Sequence, residues 1–171
     1  MQIAKFRFTD ARALQGWNFM KPVKKEKAVD SVFAGSLYFA SGAFGRAVEK
    51  LATECWKNSG LSPSQGSLLL HLILHTDSFP CYISSDLRVN PSTVTRLADQ
   101  LEAKGLVYRM PSGHWNYLGV TKKGLLLLPA LLESKKDFND RCIELFGKTR
   151  VDKLAIFLNE ATDKINSYNN N

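Results

Sequence analysis

No stretch of this 171-residue sequence runs apolar for the roughly 18 residues that a membrane-spanning helix needs. The opening MQIAKFRFTDAR has no apolar signal-peptide core, so an intracellular, cytoplasmic setting is the expectation, without membrane association. Cysteine is scarce: Cys55, Cys81 and Cys142 are odd in number and widely spaced. That excludes a disulfide framework and a CxxC metal site and points to free thiols. There is no glycine-rich phosphate loop, no nucleophile motif and no recognisable pair of catalytic carboxylates, so the chain does not read as an enzyme and no cofactor is expected. Only three histidines are present. His71 and His75 stand at i, i+4 and place two imidazoles on one helix face, but neither an HExxH motif nor a convincing third ligand accompanies them. Asp77 and Cys81 are the nearest candidates, and the sequence by itself assigns no metal.

What is present is ordinary globular composition, 44% hydrophobic and 23% charged, in a length that suits one domain with additional helices. The net charge of +7 is unevenly placed. Residues 1–27 hold seven Lys/Arg against Asp10 and Glu26, and Arg96 to Lys123 holds five against Asp99 and Glu102. Basic patches of this kind are an electrostatic footprint for nucleic acid, although solvated faces also carry them.

The chain divides into five parts. Residues 1–28 form a basic extension whose Phe6, Phe8, Trp17 and Phe19 argue against a purely solvated tail. Residues 29–60 hold a long helix over 29–58, capped by Asp30 or Ser31, with a wide apolar band through Phe33, Leu37, Phe44, Val48, Leu51 and Trp56. Residues 61–124 begin with a short buried helix in LSPSQGSLLLHLILH, capped by Ser62 or Ser64. TDSFPC interrupts, and ISSDLRVN supplies one to two further turns. Residues 125–168 are helical, with a kink expected at Pro129, a capping box at Thr149 and Asp152, and a stripe through Val151, Leu154, Leu158 and Ile165. Residues 169–171 should fray.

The most informative stretch is Asn90 to Val107, NPSTVTRLADQLEAKGLV. Asn90 suits an N-cap, Pro91 the first helical position and Gly105 a left-handed C-terminal residue. Val94, Leu97, Ala98 and Leu101 fall on one face, leaving Ser92, Thr95, Arg96, Asp99 and Gln100 outward. Ordinary solvated faces favour Glu, Lys and Gln, so this crowding of hydroxyls and a guanidinium asks for a reason beyond helix stability. LVYRM and NYLGV then read as strands around a PSGHW turn. Helix, helix and hairpin make a winged helix-turn-helix, whose second helix enters the DNA major groove by its N-terminal part. The fold expected is mainly α with a small β-wing, flanked by long dimerisation helices. Asn90, Ser92, Thr93, Thr95, Arg96 and Gln100 are the candidate groove and phosphate contacts, with Arg109, His114, Lys122 and Lys123 as backbone contacts.

The run PSTVTRLADQLEAKGLVYR, followed by the hairpin and LGVTKKG, resembles the core of the multiple-antibiotic-resistance-regulator (MarR) family of bacterial transcription factors. Ser92 to Leu97, the pattern from Leu101 to Arg109, and Thr121-x-Lys123-Gly124 carry the resemblance, which extends over roughly residues 30–168. It implies a homodimer on a palindromic operator in double-stranded DNA, associated with the nucleoid when bound. It usually implies a repressor, often released by a small aromatic or anionic effector, and some members sense oxidants through cysteine. Tyr38, Phe39, Phe44, Trp56 and His71 are candidate effector-pocket residues, though ordinary core packing is the blander account of each. The family hairpin commonly carries an Asp-x-Arg pattern whose Arg reaches the minor groove. PSGHWNY is a few residues shorter and has neither, leaving His114 or Trp115 at the tip, and SSDLRVN is also short. Two other classes fit the altered wing: a protein-interaction adaptor without specific DNA binding, and a redox- or ligand-sensing module.

Overall fold

The computed structural model describes residues 33, 35–75, 79–112 and 115–169, with the side chains of Ser112, Trp115 and Asn116 left aside. The expected caps Asp30 and Ser31, the basic extension and the loop residue His114 lie outside the described residues. The helices are α1 (Leu37–Trp56), α2 (Pro63–Leu74), α3 (Pro80–Asp86), α4 (Pro91–Ala103), α5 (Lys122–Leu125), α6 (Leu128–Phe146) and α7 (Lys148–Asn169), with a hairpin of β1 (Val107–Ser112) and β2 (Trp115–Val120). Among the described residues no helix is long and apolar enough to cross a membrane.

The chain forms two compact units, Met1–Gly42 and Ala43–Asn171. In the first, Gly35 has φ +90, a left-handed conformation that interrupts a helix, so α1 starts at Leu37 and not at the expected Val29. The exposed ring of Phe39 meets Phe33 and Tyr38 edge-on, at centroid distances of 4.7 and 5.2 Å.

The second unit is organised around α2. Ser62 caps it with a full capping box, its hydroxyl accepting from Gln65 N while Gln65 Oε1 accepts from Ser62 N. Leu68, Leu69, Leu70, His71 and Leu72 are all buried, so this helix is covered on nearly every side. Trp56 of α1 packs directly over Gly66: a Cβ there would stand 2.0 Å from Trp56 Cζ3. The indole, itself buried, fills the space that any larger residue would need.

Other boundaries depart from expectation for local reasons. Pro80 opens α3 earlier than TDSFPC suggested, because proline is well suited to the first helical turn. Pro129 does not kink a continuous helix; a break at Leu126 and Leu127 precedes it, and Pro129 sits in the first turn of α6. Thr149 and Asp152 form no capping box, since α7 has already begun at Lys148.

The wing is antiparallel, with Val107 opposite Val120 and Tyr108 opposite Gly119, and both strands run to the tip beyond the expected LVYRM and NYLGV. Two devices tie it to α4. Arg109 on β1 ion-pairs with Asp99 and Glu102 on α4, its side chain 28% exposed. At the other end, Thr121 Oγ1 donates to Gly105 O at 2.8 Å and accepts from Gly124 N at 3.1 Å, while Thr121 N donates to Leu106 O at 3.0 Å. Lys123 Nζ donates to Lys104 O at 2.7 Å. Gly124 completes the strap, because a Cβ there would lie 2.3 Å from the Leu106 carbonyl oxygen. The Thr-x-Lys-Gly motif is therefore a fastening between the wing's return strand and the C-terminal turn of α4.

Gly66→Ala should destabilise the fold by about 1–3 kcal/mol through overpacking against Trp56, read as a lower Tm in thermal unfolding. Thr121→Ala should cost about 1 kcal/mol by removing the α5 cap, read as a lower denaturant midpoint at unchanged slope.

Candidate nucleic-acid interface

The candidate interface is built on α4. Val94 and Leu101 are fully buried and Leu97 and Ala98 nearly so, which fixes the helix on α2 and α3 and turns its other face to solvent. Asn90 occupies the N-cap in extended conformation, its carbonyl accepting from Thr93 N and Val94 N, but its side chain makes no capping bond. That exposed amide is left available to something outside the helix.

Ser92, Thr95 and Arg96 are exposed and Thr93 is half-buried. Thr95 Oγ1 donates back to Pro91 O at 3.2 Å, which holds the hydroxyl close to the helix and leaves its methyl and oxygen lone pairs outward. No hydrogen bond or ion pair engages Arg96 among the described residues, so its guanidinium projects from the first two turns as a free five-donor fork. Backbone N–H groups at the same end add favourable potential for phosphate.

The remaining candidates are placed differently. Gln100 is half-buried and accepts from Gln65 Nε2 at 2.9 Å; Gln65 Oε1 in turn accepts from Lys104 Nζ at 3.1 Å. This polar chain joins the exposed edge of α4 to α2. Arg109 is committed to Asp99 and Glu102, and Lys123 to the Lys104 carbonyl. Lys122 is exposed at the start of α5 with no partner among the described residues. The ring of Tyr117, on β2, stacks on Phe79 at 4.4 Å, which ties the wing to the entry of α3.

The turn between α3 and α4 holds a residue that periodicity did not single out. Arg88 has φ +53, uncommon for a residue with a side chain, and its guanidinium pairs with Asp163 of α7 and reaches Asn159 O. The helix-turn-helix angle is thereby tied to the last helix. A positive-φ arginine has no signature in sequence, where Gly or Asn would have marked the turn.

Of the candidate pocket residues, Trp56 and His71 line a cavity of about 380 Å³ together with Leu70, Leu74, Lys135 and Phe138. Phe44 is half-buried on α1; Tyr38 and Phe39 are exposed at that helix's first turn. Asp86, which the sequence did not suggest, also lines the cavity, and its Oδ2 is 2.9 Å from His71 Nδ1.

Residues 61–113 match the MarR family model. A comparison with curated protein sequences gives no match. Among solved structures, the chain is similar to the transcriptional repressor CouR bound to p-coumaroyl-CoA, with 26% identity over 80% of this chain and 98% of that one and a TM-score of 0.65. It is similar to S. aureus MepR in a DNA complex, with 17% identity over 75% of this chain and 98% of that one and a TM-score of 0.64. It is also similar to a mutant E. coli MarR complexed with operator DNA, with 18% identity over 77% of this chain and 98% of that one and a TM-score of 0.65. The matched residues 61–113 hold α2, α3, α4 and β1, and the chain shares its winged-helix fold with solved MarR-family regulators.

Proposed function

We propose that the chain is a sequence-specific DNA-binding transcriptional regulator, acting as a homodimeric repressor on a palindromic operator in the bacterial cytoplasm. The observation that carries this reading is the N-terminal half of α4: a helix pinned by four buried apolar residues whose outer face offers Ser92, Thr95 and an unpaired Arg96. Short hydroxyl residues permit close backbone approach, and a free guanidinium suits guanine O6 and N7. Arg109 and Lys123, being engaged within the protein, serve this interface by bracing the wing; Lys122 is the better placed phosphate contact. The similar MepR and mutant MarR structures, each solved in complex with DNA, support a DNA-binding reading.

Dimerisation is supported by apolar surface that a single chain leaves uncovered. No residue of α7 is buried, and Ile156, Ile165 and Tyr168 are between 55% and 83% exposed. Exposed Leu and Ile at this density on a 22-residue helix call for a partner surface. The Trp56–His71 cavity is the natural seat for a small aromatic or anionic effector, since it has an aromatic wall and Lys135 at its edge. CouR was solved with p-coumaroyl-CoA.

Sensing through Cys55 or Cys142 finds less support, whereas Cys81, the sequence's better candidate, is exposed. Burial, then the neighbouring Asp137 carboxylate, push the Cys55 thiol above its ordinary value, and burial does the same at Cys142. Raised values mean little thiolate at neutral pH, which is the wrong direction for a reactive cysteine.

In selection from a random duplex pool, the protein should enrich a palindrome that Arg96→Ala loses, with a binding cost of about 1–3 kcal/mol. Lys122→Ala should weaken all sequences alike and make the slope of log K against log salt less steep by about 0.9 for each of the dimer's two lost phosphate contacts. Salt-sensitive binding with no enriched sequence would leave only a non-specific basic binder. Under iodoacetamide at neutral pH, mass spectrometry should find Cys55 and Cys142 modified far more slowly than in the unfolded chain; equal rates would reopen a cysteine-sensing role.

A further inference from the structure

His71 and His75 stand one turn apart at the C-terminal end of α2, their ring centroids 4.8 Å apart. Asp86, the last residue of α3, comes back against them from a separate helix. One ligand atom from each of the three lies within 4.8 Å of the other two. We propose that His71, His75 and Asp86 form a binding site for a divalent transition-metal ion of the zinc class.

The donor set decides the class of ion. Two imidazole nitrogens and one carboxylate oxygen suit Zn²⁺ and its borderline-soft neighbours, whereas Mg²⁺ and Ca²⁺ favour sites built from oxygen alone. The geometry is close to what such an ion needs. Tetrahedral ligands about 2.1 Å from zinc stand about 3.4 Å apart. The His71–Asp86 pair is at 2.9 Å and all three ligand atoms lie within 4.8 Å of one another, so a bound ion would have to draw them together by less than 2 Å. His75 and Asp86 are exposed, while His71 is held in the core with its side chain 7% exposed. One buried ligand and two at the surface would give the ion a defined seat and a route in.

The setting adds a second property. All three residues line the cavity that also holds Trp56, Leu87 and Phe138. Three protein ligands leave a fourth position open, and here the cavity adjoins it. Two neutral imidazoles and one carboxylate would leave the bound ion with a net positive charge, so water or a small anion would complete the shell. The ion would also cross-link α2, the central buried helix, to α3, the helix that leads directly into the turn before α4. Metal occupancy would thus stiffen the support of the recognition helix. The metal site itself does not depend on what α4 binds.

The test is titration of the purified, metal-free full chain with Zn²⁺ in competition with a chromophoric chelator. One equivalent per chain should be withheld from the chelator. Losing a direct ligand should weaken binding at least as much as losing an outer partner does, by about 10–100-fold or more, in both His75→Gln and Asp86→Asn. Both side chains are exposed, so the variants should fold, with unchanged circular dichroism as the check. Cys81→Ser should bind as the parent does. Co²⁺ in place of Zn²⁺ should give visible d–d bands without a thiolate charge-transfer band. No equivalent withheld, undiminished binding in both variants, or a thiolate band would each overturn the assignment and leave His71–Asp86 as a plain hydrogen-bonded pair.

Discussion

The structure depends on the burial of one helix face. Val94, Leu97, Ala98 and Leu101 have to be inside, each large member contributing about 1.5–3 kcal/mol, and no rotation of α4 can keep them there while hiding Ser92 or Arg96. Hydrophobic burial is non-directional in general. Here it becomes directional because apolar residues occupy only one side of the helix. The core thus sets the angle at which the polar side is shown to a partner, and everything that touches α4 either supports that angle or uses it.

Several supports are polar and lie at the edges. The Gln65–Gln100 bond, the Arg109 pairs with Asp99 and Glu102, and the Thr121–Gly124 strap hold α4 from three directions. Each is modest alone, since partly exposed ion pairs contribute about 0–1 kcal/mol. Their value is in removing the ways the wing could swing relative to the helix. Arg88 adds a fourth tie, from the turn to α7, so a helix with no buried residue of its own is linked to the recognition unit.

The cavity beside α2 sits under the same unit. Its polar lining includes His71, Asp86 and Lys135, from three different helices, and its apolar lining includes Trp56, which Gly66 allows to approach. A space bounded by α1, α2, α3 and α6 responds to shifts of any of them. A ligand or ion held there would act on the helix-turn-helix through packing contacts already present, without requiring a distant relay.

Local rules suffice wherever neighbours along the chain settle the outcome. The α4 stripe, Pro91 at its start, Gly105 with φ +69 after its end, and a serine cap at Ser62 or Ser64 were legible, because capping and periodicity act over three to four residues, although the sequence did not decide between the two serines. The winged arrangement followed from the order of those elements. What sequence could not supply was decided across the fold. Arg109 looked like a free cation until the hairpin register placed it over Asp99 and Glu102. Pro129 looked like a kink until the chain was seen to break before it. His71 and His75 lacked a third ligand in sequence, and the nearest acids and thiols were the wrong ones. Asp86 meets them only because α3 folds back on α2, a closeness in space that no spacing along the chain encodes.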